Sequence, residues 1–281
     1  MSTESSRVWF ITGCSTGFGR ALAEQVLLAG ERLIATAREV SSLDDLVATN
    51  PETLRVLSLD VTRPAMVQEV VKEASEFWGR LDVVVNNAGY GLIGALEEYS
   101  DAQMQRCLET NLMGPIHVMR AVLPILRAQK SGHLINMSAA AAISNYAGFS
   151  IYGGAKCALE GISESVRAEV APLGIKVTLV QPGPFRTDFI ARSLDRAQEH
   201  LADYDKTSGQ FSGFLDRING KQPGDPVRAA QAIVEMVQEG KAPLRLPLGK
   251  YVTDKIKKKL QTSERELQEW ERVAIGCDFP A

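Results

Sequence analysis

Short apolar runs alternate with longer amphipathic segments along most of this chain. Seven runs have the length and the aliphatic or β-branched character of strands: RVWFIT, RLIATA, RVLSLD, LDVVVNN, GHLINM, IKVTLV and, with the least regular pattern, LRLPL. Several of them are apolar without alternation, which is typical of strands covered on both faces. The pattern therefore predicts a buried parallel sheet.

The segments between these runs have the periodicity and the end signals of helices. RALAEQVLLAG and AMVQEVVKEASEFWG place apolar residues at helical spacing, and each ends at a glycine, a frequent helix stop. Later in the chain, Asp225 and Pro226 form a helix start and Gly240 a stop. This alternation predicts an α/β fold, a doubly wound, Rossmann-like parallel sheet in a three-layer α/β/α arrangement.

No linker or internal repeat divides the chain, so residues 1–281 are predicted to form a single domain. The stretch from about 188 to 225 is polar, irregular and too long for an ordinary connection, which predicts a lid or an inserted helical piece. The charged stretch at about 253–273 predicts a solvated amphipathic helical tail. Its apolar residues are expected to seek a partner surface: Ile256, Leu260, Leu267 and Trp270.

Composition and charge narrow the class of protein. The 281 residues are 45% hydrophobic and 23% charged, with a formal net charge of −3, and lack the basic excess of a nucleic-acid binder. The four cysteines and three histidines have no metal-ligand spacing, so we expect no metal, and the thiols fit a reducing compartment. The polar start and the lack of a long apolar stretch predict a cytoplasmic protein without a membrane partner.

A glycine-rich turn follows the first predicted strand. Gly13, Gly17 and Gly19 are spaced G-x-x-x-G-x-G, and a predicted helix continues from them. Glycine permits close backbone approach to a ligand, and a helix N-terminus attracts phosphate. Many strand-to-helix turns carry glycine for packing alone, so it is the position after the first strand that favours a dinucleotide. No G-K-[ST] follows, which argues against a Walker A motif.

The end of the second predicted strand indicates which dinucleotide is bound. An acidic residue at this point would bind a ribose 2′-hydroxyl, whereas the stretch TAREV places Arg38 there. A guanidinium favours a 2′-phosphate, so we expect NADP(H) in preference to NAD(H). A solvated arginine in a turn is the competing interpretation, and the neighbouring Glu39 opposes the preference.

Tyr152 and Lys156 lie four residues apart in SIYGGAKCAL, so both belong to one face of a helix. A free tyrosine has a pKa near 10, and a nearby cation lowers it. Lowering the pKa to about 7 takes roughly 4 kcal/mol, which an exposed ion pair does not supply. A partly desolvated site with a second cation would. Taken alone, the pair is better explained as a surface feature.

The order and spacing of several motifs resemble those of the short-chain dehydrogenase/reductase family. The motifs span residues 7–187: TGCSTGFG, LDV, NNAG, Asn111, Ser138, Tyr152 with Lys156, and PGPFRT. The resemblance implies strand order 3-2-1-4-5-6-7, with Asp60 at the adenine and residues 182–187 at the nicotinamide. The cofactor residues it implies are Thr12, Gly13, Ser15, Gly17, Phe18, Gly19, Arg38, Asp60, Val61, Asn87, Ala88, Gly89, Tyr152, Lys156, Pro182, Gly183, Phe185 and Thr187.

The resemblance also implies four catalytic residues. Tyr152 would exchange the proton, Lys156 would lower its pKa and bind the ribose, and Ser138 would hold the substrate oxygen. Ser144 and Ser150 are rival hydroxyls, and only the family spacing selects Ser138. Asn111 would bend a helix and hold a water that relays protons to Lys156. A structural polar group is the alternative for Asn111.

The substrate side is predicted from the loops that flank the motifs. Tyr90 follows NNAG, Ile143 and Tyr146 precede Tyr152, and Pro184 lies within PGPFRT. Apolar side chains of this kind favour an apolar ketone or secondary alcohol, although they could simply pack the loops. We expect no nucleic-acid partner.

The family resemblance therefore predicts an NADP-dependent oxidoreductase that interconverts a ketone and a secondary alcohol. The alternative is a catalytically silent protein that senses NADP(H) on the same fold. An epimerase or dehydratase of nucleotide sugars is disfavoured because the chain lacks a G-x-x-G-x-x-G turn. The helices near Asn111 and Tyr152 pair subunits in similar proteins, which implies a homodimer or homotetramer.

Overall fold

A computed structural model describes residues 6–279 of the chain. The strands β1 to β9 are, in order, Val8–Ile11, Arg32–Ala37, Leu54–Ser58, Val83–Asn86, Gly91–Ile93, Gly132–Met137, Ile175–Pro182, Leu194–Arg196 and Arg245–Leu248. The α-helices α1 to α11 are Gly17–Leu28, Asp44–Thr49, Pro64–Phe77, Asp101–Leu108, Gly114–Gln129, Ala140–Ile143, Ser150–Val170, Phe189–Arg192, Gln210–Ile218, Pro226–Gln238 and Lys250–Ile275. The predicted alternation of strands and helices is confirmed.

Seven strands form one parallel sheet in the order β3-β2-β1-β4-β6-β7-β9. Because β5 and β8 pair with each other outside this sheet, the main-sheet strands counted alone have the order 3-2-1-4-5-6-7. The order implied by the family resemblance is therefore confirmed. The least regular predicted run is the edge strand β9, where Pro247, which has no N–H to donate, is tolerated.

Apolar cores cover both faces of the sheet. In β1, Trp9 and Ile11 belong to one core, with residues of α1 and α10, whereas Val8 and Phe10 belong to the other, with residues of α3 and α5. Successive side chains of a strand point to opposite faces, so a strand between two helical layers is apolar at every position. This packing explains the unbroken apolar runs of the sequence.

The predicted start of α10 is confirmed at atomic detail. The Asp225 carboxylate accepts hydrogen bonds from the backbone N–H groups of Val227 and Arg228, at 2.9 and 3.3 Å. Pro226 occupies the first helical position, where its missing N–H costs nothing. Gly240, two residues beyond the end of the helix, has φ +69°, a conformation that favours glycine.

The segment 188–225 is more regular than its polar sequence indicates. It contains α8, β8, a π-helical turn at Asp205–Gly209 and α9. Its strand β8 pairs with β5, which follows the NNAG motif, and the Gln103 side chain donates to the Arg196 carbonyl at 2.7 Å. We call this segment the lid. Contacts with residues about 100 positions earlier in the chain hold it in place.

The charged tail forms α11, which is longer than the predicted 253–273 by a few residues at each end. Val252 is buried at its start, where the helix packs against α6 and follows β9, and everything from Ser263 to Phe279 is exposed. Across residues 6–279, no helix is both long and apolar enough to cross a membrane. The same residues hold no cluster of three or more histidine, cysteine or acidic side chains that could bind a metal.

Candidate active site

A cavity of about 870 Å³ lies where the carboxyl ends of the main-sheet strands meet. This is the edge at which open parallel sheets bind ligands. Most of the predicted cofactor residues line it: Gly13, Ser15, Gly17, Phe18, Arg38, Asp60, Val61, Asn87, Ala88, Gly89, Tyr152, Lys156, Pro182 and Thr187. The structure thus brings together residues that lie as much as 174 positions apart, from Gly13 to Thr187.

The glycine turn and the NNAG segment are in direct contact. Gly13 has φ +73°, and a Cβ there would lie 2.9 Å from the Ala88 Cα, so only glycine fits. The Asn87 side-chain amide donates to the carbonyls of Thr12 and Gly13, both at 2.9 Å. These bonds fix the shape of the turn at the floor of the cavity.

Four predicted cofactor residues do not line the cavity. The Thr12 hydroxyl accepts from the backbone N–H groups of Asn87 and Ala88, both at 3.0 Å, so Thr12 supports the turn from behind. Gly19 lies against the Gly13 carbonyl, where a side chain would clash. The other two hold the segment after β7: the Phe185 ring meets Phe18 edge-on at 5.0 Å, and the Gly183 N–H donates to the Leu248 carbonyl at 3.1 Å.

These residues fit a phosphate-bearing dinucleotide. The twelve-residue helix α1 begins at the turn and has no acidic residue in its first turn, so its N-terminus is open to an anion. Gly89 has no side chain to fill the space beside it, where a Cβ would lie 2.7 Å from the Asn111 Oδ1 and 3.7 Å from the Lys156 Nζ. Arg38 is exposed at the end of β2 and lines the same cavity.

Tyr152 and Lys156 are both buried on α7 and both line the cavity, so the surface-pair interpretation fails. The Lys156 ammonium donates to the Met137 carbonyl at 2.8 Å, and burial lowers the pKa of Lys156 to about 8. Burial raises the pKa of Tyr152 above its ordinary value, and the nearby Cys107 raises it further by a smaller amount. Burial therefore dominates the pKa of Tyr152, and the lowering of this pKa by Lys156 stays a prediction.

Asn111 lies in a π-helical turn, Glu109–Met113, between α4 and α5. Its side-chain N–H₂ donates to the Tyr90 carbonyl at 2.9 Å and the Cys107 carbonyl at 3.0 Å. Its Oδ1 is buried without a hydrogen-bond partner among residues 6–279. The helix is π-helical at the residue predicted to bend it, and the amide oxygen remains available as an acceptor next to Gly89.

Ser138, predicted to hold the substrate oxygen, lines the cavity, and its hydroxyl is bonded to a buried carboxylate. Its hydroxyl donates to the Glu160 Oε1 at 2.6 Å, and the Glu160 carboxylate also accepts from Gln181 at 2.7 Å and Arg245 at 3.1 Å. A buried carboxylate is a stronger acceptor than a neutral oxygen, which explains the orientation. A hydroxyl has one O–H group. While Ser138 donates this group to Glu160, its oxygen can accept a hydrogen bond but cannot donate one to a ketone.

Tyr90 is the one predicted substrate residue that lines the cavity; Ile143, Tyr146 and Pro184 do not. The rival hydroxyls Ser144 and Ser150 also lie outside it. The ring of Tyr146 is stacked on Phe211 at 4.7 Å, and its hydroxyl shares a 2.7 Å hydrogen bond with Tyr251. Tyr146 is therefore held by the lid and by α11, and its contact with substrate stays a prediction.

The outer wall of the cavity consists largely of lid residues that were not predicted. They are Phe189, Arg192, Ser193, Leu194 and Asp195. The Phe189 ring lies 5.9 Å from the Tyr152 ring, and Asp195 forms a 4.0 Å ion pair with Arg106, another lining residue. The sequence signals for this wall are the long polar stretch predicted as a lid and the aromatic residues within it.

Comparison with known proteins agrees with the site. The short chain dehydrogenase family profile matches residues 7–198. An oxidoreductase of Botryotinia fuckeliana, BOA17, is 36% identical over 272 residues, which cover 96% of this chain and 99% of that protein. A crystal structure of a short-chain dehydrogenase from Streptomyces avermitilis has a TM-score of 0.92 at 40% identity, covering 98% of this chain and all of that one.

A more distant crystal structure shares the fold alone. It is a short-chain dehydrogenase/reductase from Burkholderia phymatum in complex with NAD, with a TM-score of 0.82 at 23% identity, and the match covers 95% of this chain and 97% of that one. The family match covers more than half of the chain, and its motifs meet in one cavity. The chain is therefore an oxidoreductase of the short-chain dehydrogenase/reductase family.

Proposed function

We propose that this oxidoreductase transfers a hydride between NADP(H) and a ketone or secondary alcohol, with Tyr152 exchanging the proton. The observation that supports this most directly is the burial of Tyr152 and Lys156, one helical turn apart, in the cavity that also contains the glycine turn. The dinucleotide, when bound, supplies or accepts the hydride. The residues of this chain hold the substrate oxygen and move its proton.

In the reductive direction, Tyr152 is the proton donor. Burial raises the pKa of this tyrosine, so the hydroxyl is protonated at neutral pH and ready to give a proton to the substrate oxygen. The Lys156 ammonium, on the same face of α7, stabilises the phenolate that this transfer leaves. For each unit by which this attraction lowers the pKa of Tyr152, the free energy of the phenolate falls by about 1.36 kcal/mol.

Proton resupply is assigned to Lys156 and Asn111. The buried Asn111 Oδ1 has no partner, and it faces the same small gap beside Gly89 as the Lys156 Nζ. A buried acceptor without a partner costs about 1–3 kcal/mol, which a bound water would recover. Such a water would connect Lys156 to solvent.

The hydrogen bond from Ser138 to Glu160 supports a different role for this residue. We propose that Tyr152 is the donor that meets the substrate oxygen, and that Ser138 acts as a positioning residue. Its hydroxyl and the side chains of Gln181 and Arg245 meet on one carboxylate, so they tie β6, β7 and β9 to α7 beside the site.

The preference for NADP(H) rests on Arg38. This side chain lines the cavity at the end of β2, where the ribose of a dinucleotide is expected. Its guanidinium matches a 2′-phosphate in charge and in hydrogen-bond geometry.

The substrate is proposed to be an apolar ketone or secondary alcohol. Phe189, Leu194 and Tyr90 line the cavity, with Phe189 beside Tyr152, and they offer an apolar surface to a substrate carbon skeleton. Arg106 and Asp195 also line the cavity, and their charges offset each other in an ion pair.

The replacement Tyr152→Phe tests this function. We expect the rate of NADPH consumption with a panel of aryl and alicyclic ketones to fall about 10³-fold, within the range of lost acid catalysis, while NADPH still binds. Tyr204→Phe is the matched control, because the Tyr204 hydroxyl bonds to Glu97 and does not line the cavity. Near-normal turnover by Tyr152→Phe would refute the mechanism. Binding without consumption by the unaltered protein would favour the sensing alternative.

The setting of the enzyme is a further part of the proposal. Cys14, Cys107, Cys157 and Cys277 are all unpaired in the described chain, which fits a reducing, cytoplasmic compartment. We also propose a homodimer or homotetramer that takes small carbonyl or alcohol substrates.

A further inference from the structure

From Leu260 onward, α11 exposes large apolar side chains. Leu260, Leu267 and Trp270 are 65%, 62% and 60% exposed, respectively. The start of the helix is instead anchored, because Tyr251 shares a hydrogen bond with Tyr146 and the Lys255 ammonium lies 3.6 Å from the centre of the Tyr146 ring. The helix therefore extends from a fixed base, with Leu260, Leu267 and Trp270 uncovered by the described chain and Ile256 half-buried near the base.

The spacing of small and apolar residues along α11 is that of a helix-pairing seam. The seam positions are Ile256, Leu260, Ser263, Leu267, Trp270 and Ala274. Successive intervals are 4, 3, 4, 3 and 4 residues, the alternation by which two helices keep one face in contact. The seam is about 27 Å long at about 1.5 Å per residue.

The charges of α11 are separated along its length. The first half of the helix carries five lysines and one aspartate, and the second half carries four glutamates and two arginines: Lys250, Asp254, Lys255, Lys257, Lys258 and Lys259, then Glu264, Arg265, Glu266, Glu269, Glu271 and Arg272. Two parallel copies would bring the lysine-rich halves together, which costs free energy. Two antiparallel copies bring each lysine-rich half against a glutamate-rich half.

We propose that α11 pairs in antiparallel orientation with α11 of a second copy of this chain. With the twofold axis near residue 265, Leu260 packs on Trp270 of the second copy, Ile256 on its Ala274 and Ser263 on its Leu267. Each layer combines a larger side chain with a smaller or differently shaped one, as close packing requires. A parallel pair would place Trp270 against Trp270 and Ser263 against Ser263.

The same register places Lys257 beside Glu271 of the second copy, once on each side of the axis. It also lays the exposed end of each helix along the anchored half of the other, near Tyr251 and Tyr146. The pairing is independent of the proposed reaction, because no seam residue lines the cavity.

Sedimentation equilibrium of the full chain tests the pairing. We expect Leu267→Glu with Trp270→Glu to halve the assembly mass, dimer to monomer or tetramer to dimer, at about 20 µM protein. Gln261→Glu with Gln268→Glu is the control, since it adds the same charge at exposed positions outside the seam. Retained thermal stability and NADPH binding exclude a folding defect. A monomeric unaltered chain, or an unchanged mass in the seam variant, would overturn the proposal.

Charge exchange tests the orientation. Lys257→Glu and Glu271→Lys, each alone, place like charges together and should weaken association several-fold in the measured dissociation constant. The double variant restores opposite charges only if the helices are antiparallel, so it should associate as the unaltered chain does. Failure of the double variant to recover would contradict the antiparallel register.

Discussion

The cofactor end and the substrate end of the cavity differ in the parts of the chain that build them. At the cofactor end, the Gly13 turn and the Ala88 backbone are in contact, and the Asn87 amide fixes their distance. At the substrate end, the wall consists of side chains of the lid, such as Phe189 and Leu194. The cofactor end therefore depends on the shape of the backbone. The substrate end depends on side chains that are held in place by the pairing of β5 with β8, two strands far apart in the sequence.

This difference explains how the two ends respond to change. A backbone-built site tolerates almost no added atom, because the neighbouring backbone cannot move without disturbing the sheet. A side-chain wall can be altered one residue at a time, and each change affects the shape offered to the substrate. We therefore expect all-or-none effects at the cofactor end and graded effects at the substrate end.

The largest effect is expected for Gly13→Val. The added Cβ would lie 2.9 Å from the Ala88 Cα, at φ +73°, where a β-branched residue is strained. The dissociation constant for NADPH, measured by quenching of tryptophan fluorescence, should rise at least about 100-fold.

Gly30→Val is the matched control for this change. Gly30 has φ +75°, nearly the same as Gly13, but no other atom of the described chain lies within 4 Å of an added Cβ there. The control should lose about 1–2 kcal/mol of stability from backbone strain, measured by thermal unfolding, and retain binding. If both variants bind NADPH equally well, close backbone contact does not build the cofactor end.

Arg38→Ala should have the next largest effect, and it acts on the preference between cofactors. Loss of a charge-assisted bond of about 1.5–3 kcal/mol corresponds to a KM for NADPH raised roughly 10- to 100-fold. The KM for NADH should change less than about threefold, because NADH has no 2′-phosphate. Arg127→Ala, exposed near the end of α5, is the control. Equal losses for both cofactors would refute the assignment.

Much of the cofactor end could be predicted from sequence because its determinants are local. A glycine turn after an apolar strand, or Asp225 with Pro226 before a helix, uses residues that are neighbours in the chain. The unbroken apolar runs predicted the parallel sheet for the same reason. Each run is a local pattern, and it indicates by itself a strand that is buried on both faces.

The substrate end could not be predicted in the same way, because partners distant in sequence decide it. The pairing of β5 with β8 brings residues 91–93 to 194–196, and no local pattern announces it. Tyr146 is held by Tyr251, 105 positions later. Ser138 had the expected position in the sequence, but its hydroxyl is oriented by Glu160, which lies 22 residues away on α7.

Phe189→Ala is expected to have a smaller, substrate-dependent effect. Removing the ring next to Tyr152 exposes apolar surface of a bulky ketone to water, which should lower kcat/KM about tenfold for bulky ketones and barely change it for acetone. Phe214→Ala is the control, because Phe214 is an exposed residue of the same lid that does not line the cavity. A similar loss for large and small ketones would show that Phe189 orders the lid rather than shapes the substrate site.

The smallest effect is expected for Ser138→Ala. This variant distinguishes a role of Ser138 in the reaction from a role in stability. The Ser138 hydroxyl donates its hydrogen bond to Glu160, so its removal should slow turnover by less than about fivefold and leave the pH profile unchanged. Glu160 keeps Gln181 and Arg245 as donors, so we expect a stability loss of about 1 kcal/mol, the typical contribution of one hydrogen bond. If turnover instead falls by about two orders of magnitude while stability is unaltered, this hydroxyl must leave Glu160 and donate to the substrate oxygen during the reaction.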